Sequence, residues 1–142
     1  MRTARRRARE VALQALYAWL LAQGDALAHA RTLEGWERCD AALAEDLIRG
    51  VTARAAELEA RIAPCLERPF ALLSPVERAI LLIGAYELAE RAETPLKVVL
   101  NEAIDLGKSF GGSGGYRLVN GVLERLAGEL RAEEFARARK TA

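Results

Sequence analysis

The chain has 142 residues, 51% apolar and 29% charged, too apolar for disorder and long enough for one domain that buries about two-thirds of its unfolded surface. Its 21 Lys and Arg nearly balance 20 Asp and Glu, yet five of the first nine residues are arginine: Arg2, Arg5, Arg6, Arg7 and Arg9. No acid sits among them, and the rest of the chain carries 16 basic against 20 acidic residues. Abundant Ala, Leu, Arg and Glu favour helix, while four prolines and few β-branched runs argue against a sheet.

No apolar stretch approaches the roughly 18 residues needed to cross a bilayer. The basic start is not followed by a signal-peptide core, so a cytoplasmic protein is expected. Cys39 and Cys65 have no Cys or His at ligand spacing and read as reduced thiols, with no metal or other cofactor implied.

The first helix is expected from about Ala4 to Gln23, with Val11, Ala12, Ala15, Leu16, Trp19 and Leu20 at a helical period. Gly24-Asp25 stops it and caps a shorter helix through Ala28 and Leu33. Asp40 reads as the N-cap of a third helix whose stripe is Leu43, Leu47, Ile48, Val51, Ala55, Leu58 and Ile62, ending near Pro64. Ser74-Pro75-Val76-Glu77 is a capping box with proline at the first helical position. The helix it opens, to about Arg91, is apolar nearly all round and predicts the central buried element.

Thr94-Pro95 repeats the cap-and-proline start for a helix through Leu106, and Gly111 to Gly115 reads as a flexible connection. A helix carrying Leu118, Val119, Val122, Leu123 and Leu126 follows, then a short one over about Glu133 to Arg139. The whole is an all-α single domain of about seven helices in two packed three-helix-bundle-like halves, about 1–66 and about 67–142.

On the first helix, at about 100° per residue, Arg6, Arg7, Glu10, Gln14 and Tyr17 share a face opposite the apolar stripe. Guanidinium groups neutralise phosphates, the Gln14 amide suits a base edge, and the Tyr17 ring suits base stacking. The combination fits single-stranded RNA. A basic zipper is disfavoured because the stretch lacks heptads, and a helix-turn-helix because no partner helix stands at the right spacing.

Three segments carry a family resemblance: Arg5-Arg6-Arg7-Ala8-Arg9-Glu10-Val11-Ala12-Leu13-Gln14-Ala15-Leu16-Tyr17-Ala18-Trp19, then Pro95 to Gly111 (PLKVVLNEAIDLGKSFG), then Val119-Asn120-Gly121-Val122-Leu123. In this order, spanning nearly the whole chain, they resemble the NusB family of bacterial antitermination factors. The resemblance implies a non-catalytic, all-helical protein, monomeric or dimeric. It implies binding to boxA of nascent ribosomal RNA, jointly with the ribosomal protein that serves as NusE, within a transcribing RNA polymerase complex. It assigns RNA contact to Arg2, Arg5, Arg6, Arg7, Arg9, Gln14, Tyr17, Lys108 and Arg117, and NusE contact to Glu77. The chain departs from the family at Gly112-Ser113-Gly114-Gly115, where polar or acidic residues are usual, and at Leu118, where an aromatic ring is usual. Tyr116, two residues earlier, could substitute for it, though it would point elsewhere on a helix.

The remaining signals are bland. The glycine segment lacks the following Lys-Ser of a phosphate loop. His29 stands among alanines, and no nucleophile–base set suggests an enzyme. Asn101 and Asn120 are expected to bond backbone across helix junctions. Two other functions compete: a helical protein-interaction module with weak or lost RNA binding, and an RNA-guiding domain related to those fused to rRNA methyltransferases.

Overall fold

The structure, a computed structural model, describes residues 2–112 and 114–141, the last by its backbone alone. Ser113, in the middle of the glycine segment, lies outside them. The described residues form seven α-helices: α1 (Ala4–Ala22), α2 (Ala26–Ala30), α3 (Ala41–Ile62), α4 (Pro75–Glu90), α5 (Leu96–Phe110), α6 (Gly115–Leu130) and α7 (Ala132–Thr141). Single 3₁₀ turns occupy Glu34–Arg38, Ala63–Cys65 and Phe70–Leu72. No helix among the described residues is long and apolar enough to cross a membrane.

The local signals act as expected at most helix starts. Thr3 accepts a hydrogen bond from the Arg6 amide at 3.0 Å, Asp25 from Ala28 at 3.0 Å and Asp40 from Leu43 at 3.1 Å. Both arms of the Ser74–Glu77 capping box form. α1 stops at Gln23, which takes φ 60° just before Gly24. The helix expected through Ala28 and Leu33 closes at Ala30, and the 3₁₀ turn at Glu34–Arg38 follows it. α3 is kinked at Arg54 (φ −123°, ψ 19°), two residues after the Thr52 hydroxyl donates to the Ile48 carbonyl at 2.9 Å. Such back-bonding bends helices. Beyond the bend Ala55 leaves the buried stripe and is only half-buried.

Thr94 does not cap α5. The cap position is Pro95, which has no side chain to accept with. The Glu134 carboxylate of α7 takes over, accepting from the Leu96 amide at 2.7 Å. Beside it Arg131 donates to the carbonyls of Glu87, Leu88, Arg91 and Thr94 at 2.6–3.1 Å. A single guanidinium thus gathers four carbonyls at the end of α4 and the turn into α5, of which Glu87 and Arg91 also accept from the Arg91 and Thr94 amides.

α4 packs against α1, α3, α5 and α6, and every residue from Ala79 to Leu88 is buried. The close fit uses missing side chains. A Cβ at Gly84 would stand 2.6 Å from Leu123 of α6, and one at Gly107 would stand 2.8 Å from the Tyr116 Cα. The second contact seats the start of α6 against the end of α5. Asn101 is exposed, and the Asn120 amide donates to Glu124 within its own helix at 3.3 Å. Neither bridges a junction, because each lies on the outer side of its helix.

Candidate nucleic-acid interface

The arginine stretch divides into spent and unspent charge. Arg9 points into the protein and is 2% exposed. Its Nε and Nη2 donate to the two carboxylate oxygens of Glu87 at 2.9 and 2.8 Å, and Nη1 reaches Glu102 at 3.4 Å. Burial alone would lower its pKa, but the bonds and charges of Glu87 and Glu102 outweigh that and raise it. The geometry corrects the assignment of Arg9 to RNA contact: Arg9 precedes Ala12, Leu13 and Leu16 at helical spacing and shares their inward face.

Arg6 is also committed. Its Nε and Nη2 donate to Glu102 at 3.0 and 2.6 Å, and Nη2 donates to Asp105 at 2.7 Å. Its side chain is nevertheless 40% exposed, and Nη1 is the edge left over. Arg2 pairs with Glu10 at 3.1 Å and Arg5 with Asp40 at 3.6 Å, each through an exposed guanidinium, although the Glu10 side chain is only 12% exposed. Such exposed pairs are weak, worth about 0–1 kcal/mol, so a phosphate can replace the carboxylate. Among the five arginines, only Arg7 has no ion pair among the described residues.

Gln14 is exposed and Tyr17 half-buried, one turn apart on α1. Lys108 and Arg117 come together around the Tyr116 ring. The Lys108 ammonium lies 5.2 Å from the centre of Tyr116 and the Arg117 guanidinium 5.7 Å from it. Arg117 Nε also donates to the Tyr116 hydroxyl at 3.3 Å, and this bond with the two cations lowers the Tyr116 pKa. Leu118 faces away, into an open groove of about 540 Å³ that Leu66, Leu73 and Val122 also line.

Arg2 and Arg6 border a cleft closed by Asp105 and Ser109, next to Lys108 on α5. Arg2 and Arg7 border a second pocket, shared with Gln14, Glu34 and Arg38. Cations therefore stand at the 3₁₀ turn at Glu34–Arg38 and the first turns of α1, and again at the α5–α6 junction, with the acids Glu10, Glu102 and Asp105 lining the cleft between. Arg38 was missed because it joins the surface only through a neighbouring element. Glu77 spends one oxygen on the capping box, and its other lies 3.6 Å from where a Cβ at Gly115 would stand.

The model of the NusB family matches residues 6–128. The chain belongs to the NusB family. It is 47% identical over 143 residues to the transcription antitermination protein NusB of Paraburkholderia phytofirmans, covering 99% of each, and 50% identical over 141 residues to that of Ralstonia nicotianae, covering 97% of this chain and 91% of the relative. The fold matches T. maritima NusB with a TM-score of 0.82 at 31% identity, over 96% of this chain and 99% of that one. It matches a chain in a crystal structure of the antitermination factors NusB and NusE with dsRNA at 0.76 and 26% identity, over 89% and 97%. The NusB family consists of transcription antitermination factors, not enzymes.

His29 is exposed, and no group of His, Cys, Asp and Glu among the described residues is placed to hold a metal ion. Cys39 and Cys65 are free thiols. The exposed large apolar side chains, Leu21, Leu72, Val98 and Phe110, are scattered, and none lies in the arginine stretch.

Proposed function

We propose that this NusB-family chain binds single-stranded, boxA-like RNA jointly with the ribosomal protein that acts as NusE. It joins the transcribing RNA polymerase in the cytoplasm without catalysing a reaction. The observation that carries this reading is a cationic track of two patches, Arg7 with Gln14 and Arg38 beside α1 and Lys108 with Arg117 around Tyr116: phosphates on the cations and bases on the Tyr17 and Tyr116 rings match how single strands are held. The solved NusB relative in complex with NusE and dsRNA supports joint binding of RNA with NusE. Arg7, Lys108 and Arg117 take phosphates, Arg2 and Arg5 exchange weak surface pairs for them, Gln14 meets a base edge, and Glu77 meets NusE. Arg6 reaches RNA only through its Nη1 edge.

Titration with boxA-like RNA tests this directly. Affinity is weak alone, rises with NusE present, and falls steeply with salt because each neutralised phosphate releases counterion. A scrambled strand bound equally well, with and without NusE, refutes it. Light scattering on the same samples reads the oligomeric state, and a homodimer that RNA converts to monomers places the track at the dimer contact.

One observation favours a second reading, a protein-interaction module with little RNA binding. Four of the five arginines already have carboxylate partners. NusE binding without any RNA crosslink to α1 selects it.

A further inference from the structure

The 3₁₀ turn at Glu34–Arg38 sits directly on α1: a Cβ on Gly35 would come within 3.2 Å of Val11. Between turn and helix lies a pocket of about 250 Å³ whose polar walls include Arg7, Gln14, Glu34 and Arg38. None of these four side chains has an ion pair or hydrogen bond among the described residues, whereas Arg2 and Glu10 at one end neutralise each other. Unspent groups of both signs around one small cavity call for a ligand carrying negative charge and hydrogen-bond donors.

We propose that this pocket is a guanine subsite of the RNA surface, with Arg7 and Arg38 on the flanking phosphates and Glu34 on the base. The inference rests on the RNA-binding reading above. The volume falls below the roughly 300–1,000 Å³ of pockets that enclose whole ligands, so it admits a base and leaves sugar and phosphate at the rim, where the two arginines stand. An ionised carboxylate only accepts hydrogen bonds and offers two oxygens side by side. Guanine alone of the four RNA bases presents two adjacent donors, N1–H and the N2 amine, on its Watson–Crick edge. Adenine and cytosine set one donor beside an acceptor, and uracil sets one donor between two acceptors. The Gln14 amide nitrogen matches the remaining guanine acceptor, O6. The apolar floor at Val11 excludes water beneath the base.

The test uses the full chain and three single-stranded RNA dodecamers: all-uridine, the same with one central guanosine, and the same with inosine, which lacks the N2 amine. Anisotropy titrations at several salt concentrations should give about tenfold tighter binding for guanosine than for uridine, with inosine losing most of the gain. Glu34→Gln, which replaces one acceptor with a donor, should erase the guanosine preference. Arg38→Ala should weaken all three strands alike and reduce the log–log salt slope by about 1. Guanosine monophosphate at millimolar concentration should compete poorly, since it keeps only one of the two flanking phosphates of the strand.

Equal affinity for all three strands overturns the proposal, as does a preference that survives Glu34→Gln or a salt slope that Arg38→Ala leaves intact. Salt-dependent binding without any guanosine preference removes the subsite and leaves the RNA-binding reading standing. No binding to any strand, with or without NusE, removes both.

Discussion

Replacing Arg9 by Met separates its structural role from RNA contact. Arg9 and Glu87 are 2% and 1% exposed, and their bidentate pair joins α1 to α4. Methionine fills much of the volume but leaves the Glu87 carboxylate buried without its partner, because Glu102 is an acid and Arg6 is already engaged by Glu102 and Asp105. Breaking a buried pair on one side costs about 3–5 kcal/mol. At about 3 °C per kcal/mol for a domain of this size, the melting temperature falls by roughly 9–15 °C. Urea unfolding followed by far-UV circular dichroism measures the loss, with an unchanged m-value as the check that both end states are preserved.

The double variant Arg9→Met with Glu87→Leu removes both charges and should recover most of the stability, because replacing a whole buried pair with apolar side chains is often neutral or better. It should also keep wild-type RNA affinity. A loss under about 1 kcal/mol in the single variant, or a stable double variant that no longer binds RNA, refutes the structural assignment of Arg9.

Arg131→Ala should cost about 3 kcal/mol, less than the sum of its four carbonyl bonds because neighbouring bonds do not add; loss of amide protection concentrated at the α4–α5 turn identifies the site. Arg7→Ala should weaken RNA binding more than Arg6→Ala, read by anisotropy at fixed salt, since Arg6 is held by two carboxylates and Arg7 by none; the reverse order rejects the division into spent and unspent charge. Ultraviolet titration should resolve two tyrosines on opposite sides of the ordinary value. Tyr86 is pushed up to about 12 by burial and its bond to Asp46, and Tyr116 is lowered by Arg117 and Lys108. Tyr86→Phe and Tyr116→Phe should each delete one component. The stability Tyr86 contributes is whole below the unfolded pKa of about 10 and is lost as pH rises through about 12, because the unfolded chain gives up the proton first.

Element order, most helix caps and the burial of α4 were legible because they depend on residues within one or two turns: Asp25, Asp40, the Ser74–Glu77 box and the unbroken apolar run Ala79–Ile83. The place where α4 ends was legible, but not what satisfies that end and the turn after it, since Arg131 and Glu134 reach them from about 40 residues away. The false cap at Thr94 has the same cause: the local pattern was present, but Pro95 took the cap position and a distant carboxylate supplied the acceptor. The kink at Arg54 displaced Ala55 from a stripe that assumed a straight helix.

The sequence by itself determined the helical class, the family and the location of a basic surface, because composition, periodicity and ordered motifs survive without knowledge of neighbours. Only the tertiary structure decided which charges remain available. Arg9 is spent on Glu87 and Arg6 is held by Glu102 and Asp105, while Arg7 gains Arg38 from the turn that Gly35 seats on α1. A cation's availability depends on the carboxylates within a few ångströms, and here those come from helices about 80 to 100 residues away.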